Sequence, residues 1–156
     1  MRISKVRSPS FDGLNPSSKT SSHCKKMNRH ADTRHERLLR SALWRRGLRF
    51  RKNDKTLIGK PDIVFRKYHL VVFCDGDFWH GRRWNALSGK LKSGVNSSYW
   101  LQKIRSNMLR DQRNTRALRR ASWRVIRLWE TDILNDPVAC ANLVETALRQ
   151  SLTSSS

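Results

Sequence analysis

Two aspartates beside short apolar runs are the residues of this sequence best suited to bind a divalent cation. Asp62 opens the run Asp62–Phe65 directly after a proline, and Asp75 follows the run Leu70–Cys74. Both runs are rich in β-branched and aromatic residues, so we predict two strands of one antiparallel hairpin. Because that pairing brings the aspartates together, their carboxylates suit a magnesium site for phosphodiester hydrolysis. A proline–aspartate pair taken alone is more often an ordinary turn.

The loop after the second run holds another unusual group of side chains. Phe78, Trp79 and His80 are consecutive, lie between two glycines and follow two acids. The two rings could close the end of the hydrophobic core, or they could enter a DNA base stack as a wedge. His80 is suited to orient or deprotonate an attacking water, or to assist the leaving oxygen, although a loop histidine is often an ordinary surface residue.

A helix near residue 33 supplies a further carboxylate. Thr33 and Glu36 form a capping-box pattern, Leu39 and Leu43 lie on one helical face, and Gly47 ends the segment. Glu36 therefore completes the helix cap, and it is also a candidate to face the metal site. The two roles do not exclude each other.

A long basic segment, Tyr99–Arg120, has the apolar spacing of a helix. Its charge is almost entirely positive, which is unfavourable along a helix unless an anion relieves the repulsion. Contact with DNA phosphates or bases and a solvated charged face are the two interpretations. The candidate contacts are Trp100, Lys103, Arg105, Asn107, Arg110 and Arg113.

Net charge indicates a polyanionic partner. The 156 residues include 33 Lys and Arg against 12 Asp and Glu, a net charge of +21. Charge alone fits a nuclease and a basic structural protein equally well, but 6 Trp residues favour the nuclease. The 3 cysteines form no CxxC pair, which argues against a disulfide framework and a cysteine-only zinc site. Without a secretory signal or an apolar span, we expect a cytoplasmic, nucleoid-associated protein.

The predicted organisation is one domain with tails. We expect a disordered basic tail over 1–22, an endonuclease domain over 23–150 and a frayed end over 151–156. The element order α-β-β-β-α-β-α predicts an α/β fold with a mixed central sheet flanked by helices. Asn85–Ser98 is polar and is predicted to be a flexible connection, Trp123–Trp129 a strand, and Asp136-Pro137 the start of the last helix.

The order and composition of these motifs together resemble the very short patch repair endonuclease family. The resemblance runs from about Ser21 to about Ile133, and its anchors are Thr33–Glu36, Leu43–Phe50, Gly59–Phe65, Val72–His80, Tyr99–Asn107, Trp123–Ile126 and Trp129-Glu130. It implies a restriction-endonuclease-like fold and a magnesium-dependent enzyme. That enzyme nicks one strand 5′ to the thymine of a T:G mismatch, the lesion left when 5-methylcytosine is deaminated.

The resemblance also implies catalytic roles. Asp62 becomes the central magnesium ligand, and Cys74 offers its backbone carbonyl rather than its thiol. Asp75 occupies a position near the metal-bound water, so it is a candidate ligand too. His80 matches the catalytic histidine and Glu36 the helix glutamate of the family.

Its implied DNA contacts fall into two groups. Phe78, Trp79 and Trp100 match an aromatic wedge that opens the base stack beside the mismatch. Lys103, Asn107 and Met27 match positions that touch the mispair.

The zinc site of the family has no counterpart here. Its ligand positions are Asp77, Arg82, Trp84 and Thr131, which cannot form a tetrahedral site of soft ligands. We therefore expect no structural zinc. Asp77 is predicted to pair with Arg82 or Arg83 instead, with Trp84 packed beneath the loop.

The expected partner is double-stranded DNA containing a T:G mismatch, bound by a monomer. Mismatch-repair proteins and a DNA cytosine methyltransferase are possible functional partners, and no membrane partner is expected. Two alternatives stay open: a strand-specific nicking enzyme of a restriction system with the same fold and another target, and a non-catalytic DNA-binding module.

Overall fold

The computed structural model describes residues 32–153 and, separately, Pro9. The predicted mispair contact Met27 and, apart from Pro9, the predicted tail over 1–22 lie outside the described residues. The helices are α1 Arg34–Arg45, α2 Trp84–Lys92, α3 Ser97–Arg120, α4 Glu130–Asn135 and α5 Pro137–Thr153. The strands are β1 Arg51–Lys52, β2 Ile63–Phe65, β3 Leu70–Asp75 and β4 Arg124–Trp129, and a 3₁₀ turn Arg66–Tyr68 links β2 to β3.

The four strands form one mixed sheet in the order β1-β2-β3-β4. β2 and β3 pair antiparallel with Ile63 opposite Val72, which confirms the predicted hairpin. β4 lies parallel to β3, with Cys74 opposite Leu128. The chain therefore has the α/β fold with a mixed sheet and flanking helices that the sequence predicts.

Contacts divide the chain into two compact units, whose described parts are residues 77–113 and residues 32–76 with 114–153. The larger unit holds the sheet. Within this unit β3 is buried on both faces. Leu70 and Val72 pack in one cluster with residues of α1, α4 and α5. Val71 and Phe73 pack on the other face with Leu118. The smaller unit holds α2 and most of α3.

Local sequence signals fix where two helices of the larger unit, α1 and α5, begin. The Thr33 hydroxyl accepts a hydrogen bond from the Glu36 N–H, so α1 begins with the predicted capping box. Pro137 is the first residue of α5, and Asp136 accepts a hydrogen bond from the N–H of Ala139. The described helices include none that is long and apolar enough to cross a membrane.

One predicted connection is wrong. The sequence predicts a flexible connection over Asn85–Ser98, yet α2 covers Trp84–Lys92 and α3 begins at Ser97. Trp84, Leu87 and Leu91 have the spacing of one helical face and are half-buried, so their packing outweighs the low helix propensity of the serine and glycine between them. The short helix α4 was likewise not predicted.

The loop that leads to Pro61 is held by a buried aspartate. Asp54 accepts hydrogen bonds from the hydroxyl and N–H of Thr56 and from Arg66, and these bonds lower its pKa from 3.8 to about 2. Its own N–H donates to the Pro61 carbonyl at 3.2 Å. The charged form of Asp54 is therefore favoured by folding.

We expect Asp54→Asn to destabilise the protein in a pH-dependent way. A carboxyl whose pKa is lowered by folding stabilises the fold above its ordinary pKa and loses that effect as the pH falls through the folded value. Urea unfolding at neutral pH should show a lower midpoint for the variant. The gap to the original protein should close as the pH falls from 3.8 toward 2. Lys55→Gln, beside it and exposed, is the control, and an equal pH-independent gap would contradict the assignment.

Candidate active site

The end of β3 gathers the predicted metal-binding residues of the larger unit. The Asp62 carboxylate accepts a hydrogen bond of 2.7 Å from the N–H of Cys74, and the Asp62 N–H donates to the Val72 carbonyl. These bonds arise because β2 and β3 pair in register just beyond Asp62. We call Asp62, Cys74 and Asp75 the strand-end centre.

The main-chain oxygen of Cys74 faces a histidine that sequence reasoning missed. His35 is buried, and its Nε2 lies 3.3 Å from the Cys74 oxygen. Its Nδ1 lies 3.6 Å from a carboxylate oxygen of Glu130. Both residues stand inside segments that carry the family resemblance. No spacing in the sequence pointed to them as a pair, because only the folded chain brings α1, β3 and α4 together.

The surroundings of the Cys74 thiol disfavour its ionisation. Burial above all raises the pKa of Cys74 well above its ordinary value, and the nearby carboxylates of Asp62, Glu36 and Asp75 raise it further. A neutral thiol is a poor ligand for a hard cation. The geometry is thus compatible with the carbonyl, not the sulfur, as the donor at this position.

Asp75 is held by a partner on β4. Arg127 donates from Nε and Nη2 to the two carboxylate oxygens at 2.6 and 2.9 Å, and its guanidinium lies over the Phe73 ring at 4.4 Å. Thr115 accepts from Nη1 at 3.1 Å. Sequence reasoning did not identify Arg127, although an arginine in the middle of a strand, between Ile126 and Leu128, was a usable signal.

Glu36 is engaged by the start of α1. Its carboxylate accepts hydrogen bonds from the Thr33 hydroxyl, the Asp32 N–H and Arg40. The predicted capping role is therefore confirmed. Its second predicted role, at the metal site, stays a prediction.

The strand-end centre offers few protein ligands to a divalent metal ion, but enough for magnesium. Among residues 32–153, no three His, Cys, Asp or Glu side chains gather in one metal site. Magnesium needs less than that, because it keeps several waters and binds through one or two carboxylates. The Asp62 carboxylate and the adjacent Cys74 carbonyl are hard oxygen donors of the required kind.

In the smaller unit, His80 has a carboxylate partner on α3. Its Nδ1 lies 2.5 Å from Oδ2 of Asp111. A carboxylate oxygen accepts hydrogen bonds, so this contact favours a proton on Nδ1 and leaves Nε2 as the ring nitrogen that can accept one. Asp111 was missed from the sequence, yet it is the one acid among the 24 residues of α3. A single acid in a basic helix was the signal that could have found it.

The predicted wedge residues form one aromatic cluster. The ring centroids of Phe78, Trp79 and Trp100 lie 5.2 to 5.8 Å apart. Phe78 is 38% exposed, and the two indoles are half-buried. The rings thus support one another and still present an edge to solvent.

Asn107 positions this cluster from α3. It is buried, its amide donates to the Trp79 carbonyl at 3.0 Å, and its oxygen accepts from Arg110. The predicted contact with a mispair stays a prediction, as does that of the half-buried Lys103.

Gly81 allows the loop to lie against α3. Its φ is +71°, and a Cβ there would come within 2.5 Å of the Met108 sulfur. Asp77 accepts a main-chain hydrogen bond from Arg82, and their side chains are an ion pair at 3.7 Å. That pair confirms the predicted partner of Asp77. The absence of structural zinc stays a prediction.

Comparison with known proteins agrees with these features. The family model described as "DNA mismatch endonuclease Vsr" matches residues 12–86. The type II nicking enzyme V.NmeDIP of Neisseria meningitidis serogroup C is 39% identical over 126 residues, 81% of this chain and 84% of that protein. The chain belongs to the Vsr family. The type II nicking enzyme V.HpaIIP of Haemophilus parainfluenzae is 39% identical over 113 residues, 72% of this chain and 79% of that one.

Vsr itself, the DNA mismatch endonuclease of Escherichia coli K12, is 37% identical over 99 residues, 64% of this chain and 62% of its own length. As a Vsr-family protein, this chain is a DNA endonuclease with a restriction-endonuclease-like fold. Nucleases of this family generally use a divalent metal ion.

We expect Asp111→Asn to slow DNA cleavage by about 10²-fold or more, because an asparagine no longer fixes the protonation state of His80. Under single-turnover conditions the rate constant should fall while the affinity for DNA stays unchanged. Asp111→Glu should restore part of the rate. Equal losses of rate and affinity would instead show that Asp111 only maintains the local structure.

Proposed function

We propose that this Vsr-family endonuclease nicks one strand of duplex DNA 5′ to the thymine of a T:G mismatch, with Mg²⁺ as its metal ion. The observation that carries the hydrolytic part is the Asp62 carboxylate held beside the Cys74 backbone at the end of β3. The exposed edge of the cluster of Phe78, Trp79 and Trp100 supports the preference for a mispair.

The strand-end centre would hold the ion through the Asp62 carboxylate and the Cys74 carbonyl, with water in the other positions. When bound, Mg²⁺ supplies the positive charge that stabilises negative charge developing on the phosphate. Asp75 is the further candidate ligand, and each of its carboxylate oxygens keeps a lone pair beyond the one that accepts from Arg127. Glu36 acts by fixing the start of α1, next to His35.

The protein supplies a base through His80. Nε2 accepts the proton of an attacking water, while Asp111 holds Nδ1 and stabilises the imidazolium that results. The carboxylate also keeps the ring in one orientation. This role of Asp111 accounts for the presence of a single acid in a helix that is otherwise basic.

Mispairs favour an aromatic wedge for a simple energetic reason. Unstacking a base costs a few kcal/mol and costs least where pairing is already poor. Phe78, Trp79 and Trp100 enter the stack as a preassembled unit, so little side-chain entropy is lost on binding. Lys103, Asn107 and Met27 are the proposed contacts around the mispair.

A second candidate function has its own support. Several relatives, V.NmeDIP and V.HpaIIP among them, are named type II nicking enzymes. A strand-specific nicking enzyme with another target would use the same strand-end centre. Cleavage of a panel of duplexes, with T:G beside matched and other mismatched pairs, separates the two candidates.

Asp62→Ala should reduce nicking of a T:G duplex by about 10³-fold or more, because it removes the central carboxylate of the proposed metal site. DNA affinity should survive, since cationic side chains provide most of it. The assay compares nicking with Mg²⁺ and with a chelator. Glu145→Gln, which neutralises a carboxylate paired with Arg46 and Arg149, is the control and should stay active. Full activity of Asp62→Ala, or of the protein in chelator, would exclude the metal mechanism.

Trp79→Ala should lower the ratio of T:G to T:A cleavage by about tenfold or more, because a gap in the cluster weakens the wedge. Trp100→Ala should act in the same direction. Trp44→Ala removes an exposed indole of the larger unit and should leave the ratio unchanged. An unaltered ratio in folded Trp79→Ala would show that these rings only close the core.

A further inference from the structure

The surface between α1 and β1 in the larger unit forms a shallow groove that has no role in the function proposed above. It is lined by Arg40, Ser41, Trp44, Arg45, Phe50 and Lys52. The indole of Trp44 is 54% exposed there. An exposed indole offers an apolar face on which a partner can pack.

The exposed indole is held in place on two sides. The Arg49 guanidinium lies 3.6 Å from the centre of the Trp44 ring, and Phe50 meets that ring edge-on at 6.4 Å. Arg49 also donates to the carbonyls of Trp44 and Leu48. The ring is therefore a flat platform held in one orientation, and a ligand that packed on it would cost little side-chain entropy.

Two of the cations that line the groove lack an acidic partner among the described residues. Arg45 and Lys52 are exposed, and within residues 32–153 neither takes part in an ion pair. Arg40, at the base of the groove, is already paired with Asp32 and Glu36. Arg45 is attracted to the negative carboxyl end of α1, which accounts for a cation at that position. The same attraction does not account for the exposed Lys52 on β1 or for the exposed Trp44 ring. A flat ring between unpaired cations suits a sugar–phosphate chain.

We propose that this groove, called the Trp44 groove and lined by Arg40, Ser41, Trp44, Arg45, Phe50 and Lys52, is a second DNA-binding site that holds the backbone of duplex DNA irrespective of sequence. Arg45 and Lys52 contact phosphates, and Trp44 packs on deoxyribose. The net charge of +21 and the endonuclease activity of the family point to DNA as the polyanion. The proposal needs DNA as the substrate, but it does not depend on the T:G preference.

Arg45→Gln combined with Lys52→Gln tests the phosphate contacts. Binding of T:G and T:A duplexes is measured by fluorescence anisotropy in chelator over a range of salt concentrations. Each lost phosphate contact lowers the log–log salt slope by about 0.9, so the double variant should lose about 1.8. Both duplexes should weaken by the same factor. Lys67→Gln with Arg149→Gln, an equal loss of charge outside the groove, should change the slope less.

Trp44 provides an independent test of the same site. Trp44→Ala should weaken binding of both duplexes equally, and Trp44→Phe should restore part of the affinity because it keeps an aromatic face. Circular dichroism shows whether each variant is folded. An unchanged salt slope in a folded double variant would overturn the proposal. So would a loss confined to the T:G duplex, which would assign these residues to mismatch recognition, and so would a change in self-association alone.

Discussion

The hydrogen bond from the Cys74 N–H to the Asp62 carboxylate is the constraint on which the larger unit's chemistry depends. It ties the residue before β2 to the end of β3, beyond the last paired residues of these two strands, Ile63 and Val72. Two further elements reach the end of β3 near that bond. His35 of α1 lies against the Cys74 oxygen, and Arg127 of β4 donates to Asp75. Behind it β2 and β3 are fully buried, and their close packing limits the movement of the oxygen donors.

Neighbours in sequence made much of this arrangement predictable. The hairpin followed from two short apolar runs, and the cap of α1 followed from a threonine three residues before a glutamate. Periods of this kind report local geometry directly. Asp62 could be placed at the start of its strand for the same reason, because a proline precedes it and an apolar run follows.

Partners distant in sequence were not predictable in the same way. Arg127 lies 52 residues from Asp75 and reaches it only because β4 pairs parallel to β3 in one register. His80 and Asp111 are 31 residues apart and depend on where the loop meets α3. No periodic pattern encodes such distances. The helix α2 was missed for a different reason, since three apolar side chains in a polar segment give a weak signal whose effect comes from packing.

The neutral state of Cys74 has a consequence for chemical resistance. Electrophiles and peroxides attack the thiolate of cysteine and react slowly with the protonated form. Burial among carboxylates suppresses that thiolate at the point where the chain offers its main-chain oxygen. Burial also limits access to the sulfur, so we expect alkylating and oxidising agents to react slowly with Cys74 in the folded protein.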